Sequence, residues 1–138
     1  MPKLLIVDDE EDQEELILQR LRKKEFLRDY EFIFARNGLE AMHQIRTHPD
    51  IEIALMDINM PAMDGFSVLL KAKDINPILS TIMISAYDDD ANIGLGISSG
   101  AYDFIAKPID FELLEQALKK IIMHVSQLKK TMPVKLIK

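Results

Sequence analysis

The chain has 138 residues, of which 48% are hydrophobic and 29% are charged, a composition typical of one globular domain rather than of a disordered segment. The absence of cysteine excludes disulfides, thiol chemistry and cysteine-ligated zinc, and a net charge of −6 argues against sequence-independent binding to nucleic acid. No apolar run approaches the length of a membrane span and the N-terminus does not resemble a signal peptide, so we expect a cytoplasmic protein that does not act in a membrane.

Five short segments rich in apolar, β-branched and aromatic residues predict β-strands. They are residues 3–7, 30–35, 51–56, 81–86 and 102–106. The first, third and fourth contain continuous apolar runs, which are typical of central parallel strands that are covered on both faces. The second alternates between apolar and polar residues, so we place it near an edge of the sheet.

Five helical patterns lie between and after these strands, and each has a recognisable end. They cover residues 12–25, 37–48, 64–76, 88–100 and 110–130. We expect Asn37, Asp64 and Asp110 to cap the second, third and fifth helices. The fourth helix contains Gly94 and Gly96, each of which costs about 1 kcal/mol relative to alanine. It is therefore expected to be the least stable helix and a moving part of the domain, with close packing of the two glycines as the alternative.

Strands that alternate with helices predict an α/β fold with a doubly wound, five-stranded parallel sheet and five flanking helices, the last of them extended. Short, right-handed connections leave few topologies, and we choose the strand order 2-1-3-4-5. In this order the carboxyl ends of strands 1 and 3 meet at the switch point, where a functional site is expected.

Polar and charged residues stand at the carboxyl ends of four of these strands. Asp8 and Asp9 follow the first strand, Asp57 the third, Ser85 ends the fourth and Lys107 follows the fifth. One aspartate after a strand is often only a turn former, but matching residues at successive strand ends predict a shared site. Converging carboxylates repel one another unless a cation lies among them, and oxygen donors suit Mg²⁺, with Mn²⁺ as the alternative. A carboxylate beside such cations can attack phosphorus, so the cluster predicts phosphoryl transfer.

Four motifs, in order along the chain, carry a resemblance to a known family. They are VDDE at residues 7–10, MDINMPAMDG at 56–65, ISA at 84–86 and GAYDFIAKP at 100–108. On these motifs the chain resembles the receiver domain of two-component response regulators over nearly its whole length. The resemblance implies a flavodoxin-like fold, with a receiver domain over residues 1–125 and a helix extension or linker tail over residues 126–138.

The resemblance also implies a role for each residue of the site. Asp57 is the phosphoacceptor, which becomes an aspartyl phosphate. The implied Mg²⁺ ligands are the carboxylates of Asp9 and Asp57 and the backbone carbonyl of Asn59, and Asp8 binds the ion directly or through water. Lys107 pairs first with Asp57 and then with the phosphoryl group.

Further residues of the motifs tune this chemistry by the same resemblance. Ser85 donates a hydrogen bond to the phosphoryl group, and Phe104 holds the switch-aromatic position without the hydroxyl of the commoner tyrosine. Ala86 leaves the approach to the site open, while Asn59 and Tyr87 flank the path of attacking water. The peptide bond between Lys107 and Pro108 is expected to be cis.

The function implied is a phosphorylation-activated signalling domain that accepts its phosphoryl group from a sensor histidine kinase or a phosphotransfer protein. Charge added at Asp57 is expected to change the face formed by the predicted fourth helix, fifth strand and fifth helix. This face would control an output domain absent from this chain, a partner protein or a homodimer. Because the domain catalyses only its own phosphorylation and dephosphorylation, we do not expect a conventional enzyme.

An apolar stripe with heptad spacing runs along the predicted last helix. Its members are Leu114, Leu118, Ile121, Val125, Leu128 and Met132. One interpretation is that the whole stripe packs on its own domain. The other is that its exposed end pairs with a second helix, which gives a parallel dimer through the extended fifth helix.

Two functions from other classes stay open. The chain could be a constitutive dimerisation or interaction scaffold whose receiver site is silent. It could also be an Mg²⁺-dependent phosphohydrolase with an aspartate nucleophile, although Asn59 stands where such an enzyme needs a second acid.

Overall fold

The computed structural model describes residues 1–58, 63–85 and 100–131. Within these ranges five strands form one parallel sheet in the order β2-β1-β3-β4-β5, which confirms the predicted topology. The strands are β1 (Lys3–Val7), β2 (Glu31–Ala35), β3 (Ile51–Asp57), β4 (Ser80–Ser85) and β5 (Asp103–Ala106). Strand β2 lies at an edge of the sheet, as its alternating pattern predicts.

The described ranges contain four α-helices and one 3₁₀ turn. They are α1 (Glu11–Leu21), the 3₁₀ turn (Glu25–Leu27), α2 (Gly38–Thr47), α3 (Gly65–Ile75) and the C-terminal helix (Phe111–Thr131). The predicted fourth helix lies outside the described residues, apart from Gly100 at its expected end. None of the described helices has the length and apolar content needed to cross a bilayer.

Helix α1 ends at Leu21, so its predicted end at Glu25 was wrong. The positions that would continue its buried face are the charged residues Lys24 and Glu25, whereas the next buried apolar side chain is that of Leu27. The backbone is therefore extended at Lys24 and then forms the 3₁₀ turn, which brings Leu27 into the core.

Side-chain caps fix where the later helices begin. Asn37 Oδ1 accepts the backbone N–H of Glu40 at 2.8 Å, and Asp64 Oδ1 accepts that of Ser67 at 2.9 Å. The carboxylate of Asp110 accepts N–H groups from the first turn of the C-terminal helix. All three predicted caps are confirmed, and they fix where the loops that follow β2, β3 and β5 end.

The sheet is buried between two layers of helices. Helix α1 and the C-terminal helix pack on one face, where Ile53 and Leu55 of β3 belong to the same apolar cluster. Helices α2 and α3 pack on the other face against Ala54 and Met56. Every residue of β3 and β4 is buried, as their continuous apolar runs predict.

The apolar stripe of the C-terminal helix packs on the domain's own sheet. Four members are at most 1% exposed: Leu114, Leu118, Ile121 and Val125. Leu128 packs against the same cluster and is partly buried, while Met132 lies outside the described residues. The structure therefore favours the first interpretation of the stripe as far as Leu128.

An ion pair attaches the end of the C-terminal helix to the start of β3. The amine of Lys129 contacts the carboxylate of Glu52, whose side chain is only 12% exposed. Burial, together with the nearby charge of Glu52, raises the pKa of Tyr30 to about 12. The Tyr30 hydroxyl therefore stays neutral near this pair.

We expect Ile121→Ala to lower the free energy of unfolding by about 2–5 kcal/mol, because it leaves a cavity between the helix and the sheet. Met123→Ala is the matched control, since Met123 lies on the same helix but is 70% exposed, and a change below about 0.5 kcal/mol is expected. Urea unfolding followed by circular dichroism measures both values. Similar values for the two variants would contradict the packing of the stripe on the sheet.

Candidate functional site

The parallel strands bring four predicted site residues to one edge of the sheet. Asp57, the last residue of β3, lies opposite Ile84, and the next residue, Ser85, ends β4. Asp8 directly follows β1, and Lys107 directly follows β5. Residues separated by up to about a hundred positions in the chain therefore meet at the carboxyl edge.

The amine of Lys107 lies between two buried carboxylates. Its Nζ is 3.2 Å from Asp57 Oδ2 and 3.6 Å from Asp8 Oδ2. Asp8 and Asp57 are each 3% exposed. Burial lowers the pKa of the Lys107 amine, but the two carboxylates outweigh burial and raise the pKa above its ordinary value. The amine is therefore a permanent positive charge between these two acids at neutral pH.

Backbone hydrogen bonds hold the segment that carries this lysine. The N–H of Lys107 donates to the carbonyl oxygen of Ser85 at 2.7 Å, directly beyond the paired residues of β4 and β5. Ser85 is fully buried at the end of β4. The peptide bond between Lys107 and Pro108 is cis, as the resemblance implies.

Both oxygens of the Asp8 carboxylate have a partner. Oδ1 accepts the backbone N–H of Glu10 at 2.9 Å, and Oδ2 faces the amine of Lys107. Burial nevertheless raises the pKa of the Asp8 carboxyl above its ordinary value, because it outweighs these two favourable interactions. A further cation beside Asp8 would relieve this cost of burying the ionised carboxylate.

Three consecutive acidic residues place their carboxylates together after β1. One oxygen from each of Asp8, Asp9 and Glu10 lies within 4.8 Å of the other two, with Asp8 buried and the other two exposed. Among the described residues Asp57 is not a member of this group, and it is linked to Asp8 by Lys107. The donors are oxygen atoms only, which fits a hard divalent ion such as Mg²⁺.

The remaining predicted site residues fall into two groups. Phe104 is half-buried in β5 and packs against the apolar cluster on the face of α2 and α3. Asn59, Ala86 and Tyr87 lie outside the described residues.

Glu10 is a site residue that the sequence analysis did not assign. Its carboxylate joins those of Asp8 and Asp9, and its N–H holds Asp8. The signal was a third acid directly after two predicted ligands. An exposed acid just before a helix also interacts favourably with the helix dipole, so the sequence could not distinguish a metal-binding role of Glu10 from this structural one.

Comparison with known proteins places the site in a family. Residues 4–119 match the family model of the response regulator receiver domain. The response regulator GtcR of Aneurinibacillus migulanus is 39% identical over 107 residues, which cover 78% of this chain and 42% of that protein. The cyclic di-GMP phosphodiesterase of Thermotoga maritima is 32% identical over 126 residues, which cover 88% of this chain and 32% of that protein. The chain therefore spans less than half the length of these curated relatives.

Solved structures share the fold. A chain of the CheX–CheY–BeF₃–Mg²⁺ complex from Borrelia burgdorferi is 29% identical, with a TM-score of 0.79 over 88% of this chain and 89% of that chain. Since the family model covers most of the sequence and the fold is the same, this chain belongs to the receiver domains of two-component response regulators.

Proposed function

We propose that this receiver domain is a phosphorylation-activated switch in which Asp57 accepts a phosphoryl group from the phosphohistidine of a sensor histidine kinase or a phosphotransfer protein. The observation that carries this proposal is the pair of buried carboxylates, Asp57 and Asp8, on either side of the Lys107 amine. A fixed positive charge beside a buried carboxylate suits nucleophilic attack on phosphorus, because it stabilises charge on the transferring oxygens.

In the proposed transfer an oxygen of Asp57 forms a bond to phosphorus while the bond between phosphorus and the imidazole nitrogen breaks. The electron pair of the broken bond stays on the imidazole, which leaves as the neutral base because its other ring nitrogen already carries a proton. The phosphoryl group carries about −1.5 to −2 charges, and they replace the single negative charge of the Asp57 carboxylate. Lys107 is placed to balance this charge, and Ser85 supplies a hydroxyl that donates to a phosphoryl oxygen.

We assign the binding of Mg²⁺, with Mn²⁺ as the alternative ion, to the carboxylates of Asp8, Asp9 and Asp57 and the backbone carbonyl of Asn59. The oxygen-only donors after β1 and the raised pKa of Asp8 support this assignment. When bound, the ion supplies positive charge to the transferring oxygens. The Mg²⁺ and BeF₃ in the related complex from Borrelia burgdorferi support it by similarity.

We further propose that the face of β5 and the C-terminal helix transmits the phosphorylated state to an output domain, a partner or a second copy of the chain. A groove of about 410 Å³ lies between these elements, with Phe104 and Leu113 among its lining residues. Leu113 is 55% exposed there. Because Ser85 is paired with β5, a shift of Ser85 toward the phosphoryl group reaches this face through the neighbouring strand. A cytoplasmic location fits this role.

Incubation with acetyl phosphate and Mg²⁺ is expected to add about 80 Da, the mass of HPO₃, to the parent chain and nothing to Asp57→Asn. Asp74→Asn is the matched control and keeps the adduct, because Asp74 is an exposed carboxylate of α3 outside the site. Intact-protein mass spectrometry measures all three. A parent chain without the adduct would favour the silent scaffold, and steady turnover of a phosphomonoester would favour the phosphohydrolase.

Asp8→Asn is expected to stabilise the metal-free protein while it removes Mg²⁺ binding. Burial raises the pKa of Asp8 above its ordinary value of 3.8, so the ionised carboxylate destabilises the folded state. The parent is therefore most stable with respect to this group below pH 3.8 and loses stability as the pH rises through the folded-state pKa. The neutral amide avoids this loss, so the metal-free variant unfolds at a higher temperature than the parent at pH 7. In the parent, Mg²⁺ at a hundredfold excess over its dissociation constant adds about 2.7 kcal/mol, most of which the variant lacks.

Calorimetry at acid and neutral pH, with and without Mg²⁺, measures both effects of Asp8→Asn. Asp9→Asn is the control, since Asp9 is exposed and its charge is only a small cause of the raised pKa of Asp8. Its replacement weakens Mg²⁺ binding and raises the metal-free unfolding temperature less than Asp8→Asn does. A metal-free Asp8→Asn protein that is less stable than the parent at pH 7 contradicts the prediction.

Beryllofluoride with Mg²⁺, as a mimic of the phosphoryl group, is expected to convert a monomer into a dimer. Leu113→Lys prevents this conversion because it charges the proposed face, whereas Leu70→Lys charges a leucine of similar exposure, 57%, on α3 and does not. Size-exclusion chromatography with light scattering gives the masses. A parent chain that stays monomeric with the mimic overturns the dimer and leaves an output domain or a different partner for this face.

A further inference from the structure

Gly38, the first residue of α2, lies against the backbone of the segment that follows β3. A Cβ atom at Gly38 would stand 2.3 Å from the carbonyl oxygen of Met63 and 2.6 Å from its Cβ, whereas real Cβ atoms keep at least about 3.0 Å from such neighbours. Gly38 does not have a left-handed φ, so its backbone conformation is open to other residues. Space, rather than conformation, is what requires glycine at this position.

A second glycine continues this contact to the phosphoacceptor strand. A Cβ at Gly65 would lie 2.6 Å from the carbonyl oxygen of Asp57 and 3.1 Å from Cα of Ile58. The N–H of Gly65 also donates to the carbonyl oxygen of Ile58 at 3.1 Å. Only Asp64 separates Met63 from Gly65, and its side chain caps α3. The start of α2 is thus connected to the end of β3 by two close contacts, Gly38 with Met63 and Gly65 with Asp57, and neither leaves room for a side chain on the glycine.

The other end of this chain of contacts is the reacting carboxylate. Asp57 is 3% exposed and its Oδ2 is 3.2 Å from Lys107. A displacement of its backbone changes this distance and the approach of a phosphoryl donor. Misplacement by about 1 Å is enough to slow a reaction by about a hundredfold.

We propose that Gly38 is a positioning residue for Asp57, which acts through Met63 and Gly65. By leaving room for the Met63 backbone, it sets where the end of β3 presents the carboxylate to Lys107 and to the donor. The effect on rate rests on the proposed function, whereas the effect on position does not.

Gly38→Ala tests the proposal, because the new methyl group forces the Met63 oxygen away by about 0.7 Å to reach 3.0 Å. We expect phosphorylation by acetyl phosphate at saturating Mg²⁺ to slow by at least about tenfold. Asn37→Ala is the matched control: it removes the cap of the same helix but adds no atom against Met63, so its rate stays within about twofold of the parent. Equal rates for Gly38→Ala and Asn37→Ala overturn the proposal.

Stability and structure give readouts that do not depend on catalysis. Alanine favours a helix more than glycine does, so Gly38→Ala would be more stable than the parent if the Met63 backbone could move aside without cost. A Gly38→Ala protein that is more stable than the parent therefore contradicts the proposal. Rates are compared in sucrose, which strengthens burial and keeps a destabilised variant folded. Crystal structures of both variants are expected to show Met63 and Gly65 displaced only in Gly38→Ala.

An undisplaced segment in the Gly38→Ala crystal also overturns the proposal. A parent chain that takes up no phosphoryl group overturns the proposed function instead, and the crystal structures then decide the positioning role by themselves.

Discussion

The site depends on one amine held between two buried carboxylates. The carboxylates of Asp8 and Asp57, each 3% exposed, repel each other when ionised and lose hydration through burial. The amine of Lys107 lies close to both and compensates their charge. The parallel sheet makes this possible, because it brings the ends of β1, β3 and β5 to one edge. The compensation is incomplete at Asp8, because burial raises the pKa of its carboxyl group. A divalent ion bound beside Asp8 would reduce the remaining cost of burying the ionised carboxylate. A phosphoryl group on Asp57 would in turn compete for the same amine.

Local signals in the sequence predicted much of this arrangement. The strands, the caps at Asn37 and Asp64 and the residues at the strand ends follow from hydrophobic runs and side-chain chemistry that act over a few residues. The strand order follows from the rule that connections are short and right-handed. The end of α1 was not predicted, because burial of Leu27 decided it against a continuous run of helix-forming residues. The close contact at Gly38 was also hidden, since a glycine in sequence does not reveal which backbone lies against it.

Strand β3 is bound by lysines of the C-terminal region at both ends. Asp57 at its carboxyl end contacts Lys107, and Glu52 near its amino end contacts Lys129 on the C-terminal helix. The heptad stripe alone could not distinguish a coiled coil from a core helix, because both bury the same spacing of apolar residues. The described part of the stripe packs on the domain's own sheet, so the exposed face of the helix carries polar residues, Leu113 and Met123 rather than the stripe.

A crystal structure of the chain with Mg²⁺ and beryllofluoride tests the central claim most directly. The account predicts beryllium bonded to an oxygen of Asp57, the Lys107 amine on a fluorine atom, and Mg²⁺ at about 2.0–2.1 Å from oxygens of Asp57 and of the acids after β1. Beryllofluoride bound elsewhere, or an amine of Lys107 that points into solvent in the complex, would contradict it.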